Sequence, residues 1–175
     1  MKKIAKFEKV SLKQFTDDWI DTFGNRPDHI ITEIWNNIQL PKRATVGSAG
    51  YDFKAPIDIV LQPNSTIKIP TGIRCQMEPG WVLQCYPRSG LGFKYRLQLN
   101  NTVAVIDRDF FYSDNEGHIF AKITNDTNEC RIAKIKAGEG FMQGIFVEYG
   151  ITVDDDVNCV RNGGLGSTDK VKFGD

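Results

Sequence analysis

Two histidines and four cysteines are all that this 175-residue chain offers to a soft-metal or thiol site, and neither type is clustered. Cys75, Cys85, Cys130 and Cys159 show no close pairing, and only His29 and His118 could assist them. Without a Cys-x-x-Cys pair or a histidine cluster, four reduced, inert thiols are expected and a structural zinc is not. Cys75 and Cys85 flank Glu78-Pro79-Gly80 and are expected to approach each other across a hairpin. An excess of one charge is also missing, since 22 basic and 22 acidic side chains cancel and the pI is ≈ 6.7. That balance excludes the electrostatic footprint of a nucleic-acid coat or a membrane-surface binder, so any bound anion should be small and locally held. Neither a secretory leader nor a long apolar run is visible, and a cytoplasmic protein is expected. Repeats, low-complexity tracts and linker-like stretches are absent too. One domain over residues 1–160 is expected, followed by a flexible glycine-rich arm over 161–175.

What is present is mostly period-two alternation. Ile57, Ile59 and Leu61 alternate with polar or small neighbours, Pro63-Asn64-Ser65 breaks the run, and Thr66 to Ile69 resumes it. Ile73 to Met77 and Trp81 to Tyr86 bracket the Glu-Pro-Gly turn as a hairpin. Further strands fit Thr102 to Ile106, His118 to Thr124, Arg131 to Ile135 and Met142 to Val147. Many short strands with regular turns argue for an all-β sandwich or barrel. Residues 11–37 depart from this pattern. Ser11 and Gln14 have capping-box spacing, Leu12, Phe15, Trp19, Ile20 and Phe23 form one helical stripe, and Ile31, Ile34, Trp35 and Ile38 form a second. The expectation is a helical hairpin inserted after a first strand over Ile4 to Val10. It should pack on the barrel by its apolar face, with docking of a protein partner as the weaker reading.

Five short segments join glycine to polar or charged side chains: residues 47–52 (GSAGYD), 87–92 (PRSGLG), 101–110 (NTVAVIDRDF), 138–146 (GEGFMQGIF) and 161–168 (RNGGLGST). Glycines admit backbone amides close to phosphate oxygens, and Arg88 and Arg161 offer forked donors. Asp107 follows an apolar run that would hold it rigid. Together these pieces suit a nucleoside triphosphate. In order and content they resemble the homotrimeric dUTPase family, whose members split dUTP into dUMP and pyrophosphate, and the likeness runs from about Leu40 to Lys170.

The resemblance implies a mainly β, distorted jelly-roll barrel of the dUTPase type, assembled as a homotrimer with each site built from three subunits. It places the water-activating base at Asp107, and general-base catalysis needs such a carboxylate within hydrogen-bond reach of the water. Asp109 would share its face if the strand continued, and would then raise the proton affinity of Asp107. Asp52 would order the site and its water. Arg88, Ser89, Gly90 and Gln143 would hold phosphates, Asn101, Val105 and Ile106 would read uracil, and Phe110 would pack on the deoxyribose. In the tail, Arg161, Ser167 and Thr168 would clamp phosphates, with Leu165 and Gly166 as the lid. Mg²⁺ would be held by the substrate phosphates and water, with no direct protein ligand.

The chain departs from the family at Ala104 (usually glycine, so a narrower pocket is expected), Phe110 (tyrosine), Leu165 (phenylalanine) and Gly140 (arginine). Lys94 is the candidate to replace the cation missing at 140. Two rival readings are a dCTP deaminase-related enzyme and a nucleotide-sensing regulator acting through a protein partner of the helical insert.

Overall fold

Alternation becomes antiparallel sheet wherever one face can be buried, and the structure, a computed structural model, describes residues 2–159. In chain order the elements are β1 (Ala5–Lys9), α1 (Leu12–Phe23), α2 (Asp28–Asn37), β2 (Lys42–Arg43), β3 (Tyr51–Lys54), β4 (Ile59–Leu61), β5 (Thr66–Pro70) and β6 (Ile73–Met77). They continue as β7 (Trp81–Pro87), α3 (Ser89–Tyr95), β8 (Leu97–Leu99), β9 (Ala104–Ile106), a 3₁₀ helix (Arg108–Tyr112), β10 (Phe120–Asn125), β11 (Ala133–Ile135) and β12 (Gly140–Glu148). The expected mainly β fold with two inserted helices is what forms. One sheet has the order β2-β3-β12-β7-β9, a second β5-β10-β8, and the pairs β1-β6 and β4-β11 complete the wall. Phe53, Ile69, Leu83, Ile123 and Phe141 close the core from several strands and are fully buried.

Several sequence-level expectations need correcting. β6 and β7 are not a hydrogen-bonded hairpin: β6 pairs with β1, and β7 pairs with β12 and β9. Both strands turn apolar residues inward, Ile73 and Cys75 from one and Leu83 and Cys85 from the other, so they meet across the core instead of along a ladder. Cys75 and Cys85 do approach each other there, as free thiols, and burial pushes Cys85 up to about 12 and Cys75 higher still. Thr102 takes a left-handed backbone (φ 58°), which delays β9 to Ala104. β8 and α3 arise where no element was expected.

The helical hairpin packs on the barrel as expected. Phe15, Trp19 and Ile31 are its buried anchors, each worth roughly 1.5–3 kcal/mol by burial. Ser11 caps α1 through Oγ, which accepts from Gln14 N at 3.1 Å. The reciprocal half of the expected capping box does not form, because Gln14 turns its amide to Asp18 (2.9 Å). Glu116, 105 residues away, takes that place: Ser11 N donates to Oε2 at 2.7 Å and Ser11 Oγ to Oε1 at 2.6 Å. α2 has no basic residue in its last turn, but Lys9 of β1 donates to the Trp35 and Asn36 carbonyls at 2.7 and 3.0 Å, meeting the negative helix end.

A second tie runs through a fully buried histidine. Gly72 N donates to His118 Nε2 at 2.7 Å, and a backbone N–H can only donate. The imidazole therefore carries its proton on Nδ1 and passes it as a hydrogen bond to Asp18 Oδ2 of α1, 2.5 Å away.

Burial pushes the Asp18 and Glu116 carboxyls up, but hydrogen bonds from His118 and Gln14 to the first, and from Ser11 to the second, hold both below their ordinary values. A depressed folded-state value adds stability that is complete above the unfolded carboxylate value and is lost as pH falls through the folded one. Urea unfolding should show stability declining below about pH 5, and the decline should be shallower in Asp18→Asn/Glu116→Gln. An identical acid slope in the double variant would mean that neither tie persists in solution.

Candidate active site

The register of the five-stranded sheet builds a cleft of about 380 Å³ over β3, β12 and β7. Asp52 of β3 and Tyr86 of β7 both stand opposite Gln143 of β12, and Pro87 stands opposite Met142, so the chain after Pro87 passes over the start of β12. Residues from three of the sequence segments thereby line one space: Ser48, Ala49, Gly50 and Asp52 from the first, Arg88 and Ser89 from the second, Gln143 and Ile145 from the fourth.

Arg88 Nε meets Asp52 Oδ1 at 3.1 Å. The Arg88 side chain is 43% exposed and that of Asp52 15%. A partly solvated pair of this kind is worth at most about 1 kcal/mol, so its importance lies in aiming the guanidinium rather than in stability. Only one N–H edge is used this way, which leaves further donors for an anion. Gln143 Nε2 reaches the Pro87 carbonyl at 3.4 Å and turns Oε1 towards Gly50, where a Cβ would lie only 2.6 Å from that oxygen. The turn before Gly50 is fixed by Arg43, whose Nη1 donates to the Val46 and Ser48 carbonyls at 2.8 and 3.0 Å, and by a 2.7 Å hydroxyl contact between Thr45 and Ser48.

The missing side chain at 140 has a geometric counterpart. A bulge between Gly140 and Met142 sends Phe141 into the core and leaves Gly140 beneath Arg88. A Cβ at Gly140 would lie 2.8 Å from Arg88 Nη1 and 2.9 Å from Cδ. The cation over this strand is therefore Arg88. Lys94, the expected substitute, lies against the Tyr95 ring (5.1 Å) and does not line the cleft.

The third segment sits elsewhere. β9 is the edge strand beside β7, with Ala104 opposite Cys85 and Ile106 opposite Leu83. The Ala104 methyl is buried in the core, whereas Val105 faces out at 54% exposure. Asp107 follows the strand directly, as the sequence suggests. The strand does not continue, however: the chain winds into the 3₁₀ helix, so Asp109 does not share a strand face with Asp107. Phe110 lies half-buried against the core, and Asn101 occupies an exposed turn. Of the expected site residues, Asp52, Arg88, Ser89 and Gln143 share the cleft; Gly90, Asn101, Val105, Ile106, Asp107 and Phe110 do not line it. Arg161, Leu165, Gly166, Ser167 and Thr168 lie outside the described residues.

Sequence reasoning passed over the clamp by Arg43 and the facing of Gly50 and Gln143. Only the proximity of Arg43 to the first segment could have suggested the clamp. Among the described residues no group of three His, Cys, Asp or Glu side chains could hold a metal ion, and no helix is long and apolar enough to cross a membrane.

A sequence model of the dUTPase family matches residues 36–168, opening at the end of α2, so that β1 and nearly all of the helical hairpin precede the match. The chain is 40% identical over 144 residues to the deoxyuridine 5'-triphosphate nucleotidohydrolase of Lactococcus lactis, covering 79% of this chain and 94% of that one. It is 36% identical over 143 residues to the enzyme of the same name from Tolumonas auensis, covering 77% and 90%. The crystal structure of dUTPase from Streptococcus mutans superimposes with a TM-score of 0.60 at 31% identity, over 83% of this chain and 97% of that one. A mutant dUTPase from phage phi11 of S. aureus, described with a coordinated structural Mg(II) ion, shares the fold (TM-score 0.55, 20% identity, 70% and 91% coverage).

The seat of Arg88 can be tested directly. Gly140→Ala should displace only the end of a flexible side chain, changing unfolding free energy by no more than about 0.5 kcal/mol. It should nevertheless weaken pyrophosphate binding by about fivefold, because a charge-assisted contact is misplaced. Calorimetric titration should find no further loss when Gly140→Ala is added to Arg88→Ala. An additive loss would place the effect of Gly140 elsewhere.

Proposed function

The chain belongs to the dUTPase family, and from that premise we propose that it hydrolyses dUTP to dUMP and pyrophosphate. The observation that carries the reading is the convergence of Asp52, Arg88, Ser89 and Gln143 on one cleft, a carboxylate beside forked and amide donors of the kind a triphosphate needs. Arg88, the Ser89 and Gly90 turn and Gln143 bind the phosphates. Asn101, Val105 and Ile106 read uracil, and the Phe110 ring packs on the deoxyribose. Arg161, Ser167 and Thr168 complete the phosphate clamp, with Leu165 and Gly166 covering the base.

Asp107 accepts a proton from water as its oxygen attacks the α-phosphorus. The bond to the β-phosphate oxygen breaks in line, and pyrophosphate leaves. Asp52 keeps Arg88 and the attacking water in register. Mg²⁺ suits this donor set as an ion carried by the substrate: Asp52 is already engaged by Arg88, and Mg²⁺ keeps several waters and takes phosphate oxygens readily. When bound, the ion would neutralise charge on the departing pyrophosphate.

The third segment lies outside the lining of the cleft, which supports a homotrimer in which that segment of one copy serves the cleft of another. The domain over residues 1–160, the glycine-rich arm over 161–175 and a cytoplasmic setting belong to the same proposal. Neither a dCTP deaminase-related activity nor a purely regulatory role has an observation in its favour.

Pyrophosphate release from dUTP should far exceed that from dTTP, dCTP or UTP, and comparable rates on dCTP would remove the assignment. Asp107→Asn should keep affinity for a non-hydrolysable dUTP analogue while lowering turnover by about 10²–10⁴-fold. Near-normal turnover at saturating dUTP and Mg²⁺ would take the base role from Asp107.

A further inference from the structure

The helical hairpin is fastened to the stretch of chain that carries Asp107. Its first helix holds two points, Glu116 through Ser11 and His118 through Asp18, and Gly117 lies between them. Gly117 has φ +70°, and a Cβ there would lie 2.6 Å from Phe111 Cα and 2.7 Å from the Phe110 carbonyl oxygen. The backbone of residues 116–118 is thus pressed onto the 3₁₀ helix whose N-cap residue is Asp107. Behind it, Arg74 of β6 places its guanidinium 3.9 Å from the centre of the Phe111 ring, and its Nη1 reaches the Glu116 carbonyl at 3.5 Å.

A turn of 3₁₀ helix is a poor support for a positioned side chain, because its hydrogen bonds are strained and it rarely extends beyond a few residues. Here it is gripped from two sides, by the barrel through Arg74 and by the hairpin through Glu116 and His118. We infer that the hairpin is a positioning element for Asp107 and Phe110, acting through the Ser11–Glu116 and Asp18–His118 ties and the close contact at Gly117. The consequence for catalysis rests on the dUTP reading above; the mechanical link does not.

The test uses the full chain. Asp18→Ala/Glu116→Ala removes the acceptors of both ties without touching a residue of the proposed site. Ile31→Val, which leaves a small gap in the hairpin core and keeps both ties, serves as the control for lost stability. Two readouts are taken far below the unfolding temperature: amide hydrogen exchange over residues 107–118, and kcat and KM on dUTP. The untied variant should exchange faster over 107–118 and lose between about 5- and 100-fold in kcat/KM. The Ile31→Val protein should stay close to the parent in both. Equal effects in the two variants would reduce the hairpin to general stabilisation and overturn the inference, as would unchanged exchange and kinetics in the untied protein. If the parent does not hydrolyse dUTP, the functional reading fails. The exchange difference then still decides whether the hairpin grips residues 107–118.

Discussion

Arg88 reaches across the start of β12 to Asp52, and the layout of the cleft depends on that crossing. For the 3.1 Å contact to form, β7 and β3 must flank β12 in one register, and β12 must present no side chain at residue 140. The ion pair itself adds little stability. What it fixes is direction: a guanidinium on a flexible stem would otherwise sample many rotamers, and an anion site needs it in one. Neighbouring details answer the same need, with Gln143 turned towards a bare Gly50 and the preceding turn clamped by Arg43. Each is a case of backbone or small residues giving room to a long polar side chain.

The other part of the expected machinery obeys a different constraint. Asp107 stands where a three-residue edge strand ends and a short 3₁₀ helix begins, and neither element is rigid alone. Support comes from the side, through the stacking of Arg74 on Phe111 and the crossing of the 3₁₀ backbone by Gly117. The hairpin then anchors that crossing from outside the barrel. One sheet thus carries two polar regions, one fixed by register within the ladder and one fixed by clamps around its edge.

How much of this is legible in the sequence follows from how local each cause is. Alternation along Ile59–Leu61 or Phe120–Asn125 and the stripes through Phe15, Trp19 and Ile31 are local and readable, and so is the cap at Ser11. Glycine beside a charged residue also marks close approach locally, which makes the five segments visible. The partner of β6 is not local: β1 competes with β7 for its edge, and both pairings satisfy the same alternation. Glu116 and His118 meet residues 105 and 100 positions away, and no pattern near them announces it. The room left at Gly140 is hidden for a related reason, since the residue that fills it, Arg88, follows a different strand.

The hairpin also illustrates how an insertion can join a barrel without disturbing its ladders. It lies between β1, which completes an antiparallel pair with β6, and β2, the outermost strand of the five-stranded sheet, so no internal hydrogen bond is interrupted. Its apolar stripes cover the barrel wall, and its polar contacts fall on backbone groups and ionised side chains at the margin of the contact: Lys9 on the α2 carbonyls, Trp35 Nε1 on the Val10 carbonyl at 3.0 Å, Ser11 on Glu116. Apolar burial alone would let such a helix pair slide by a turn, because greasy contact is not directional. The directional bonds at both ends remove that freedom. One of them runs through a histidine whose tautomer is set by the Gly72 amide. Position, rather than added stability, is what these bonds give the helices, and it is the property a buttress for the Asp107 segment requires.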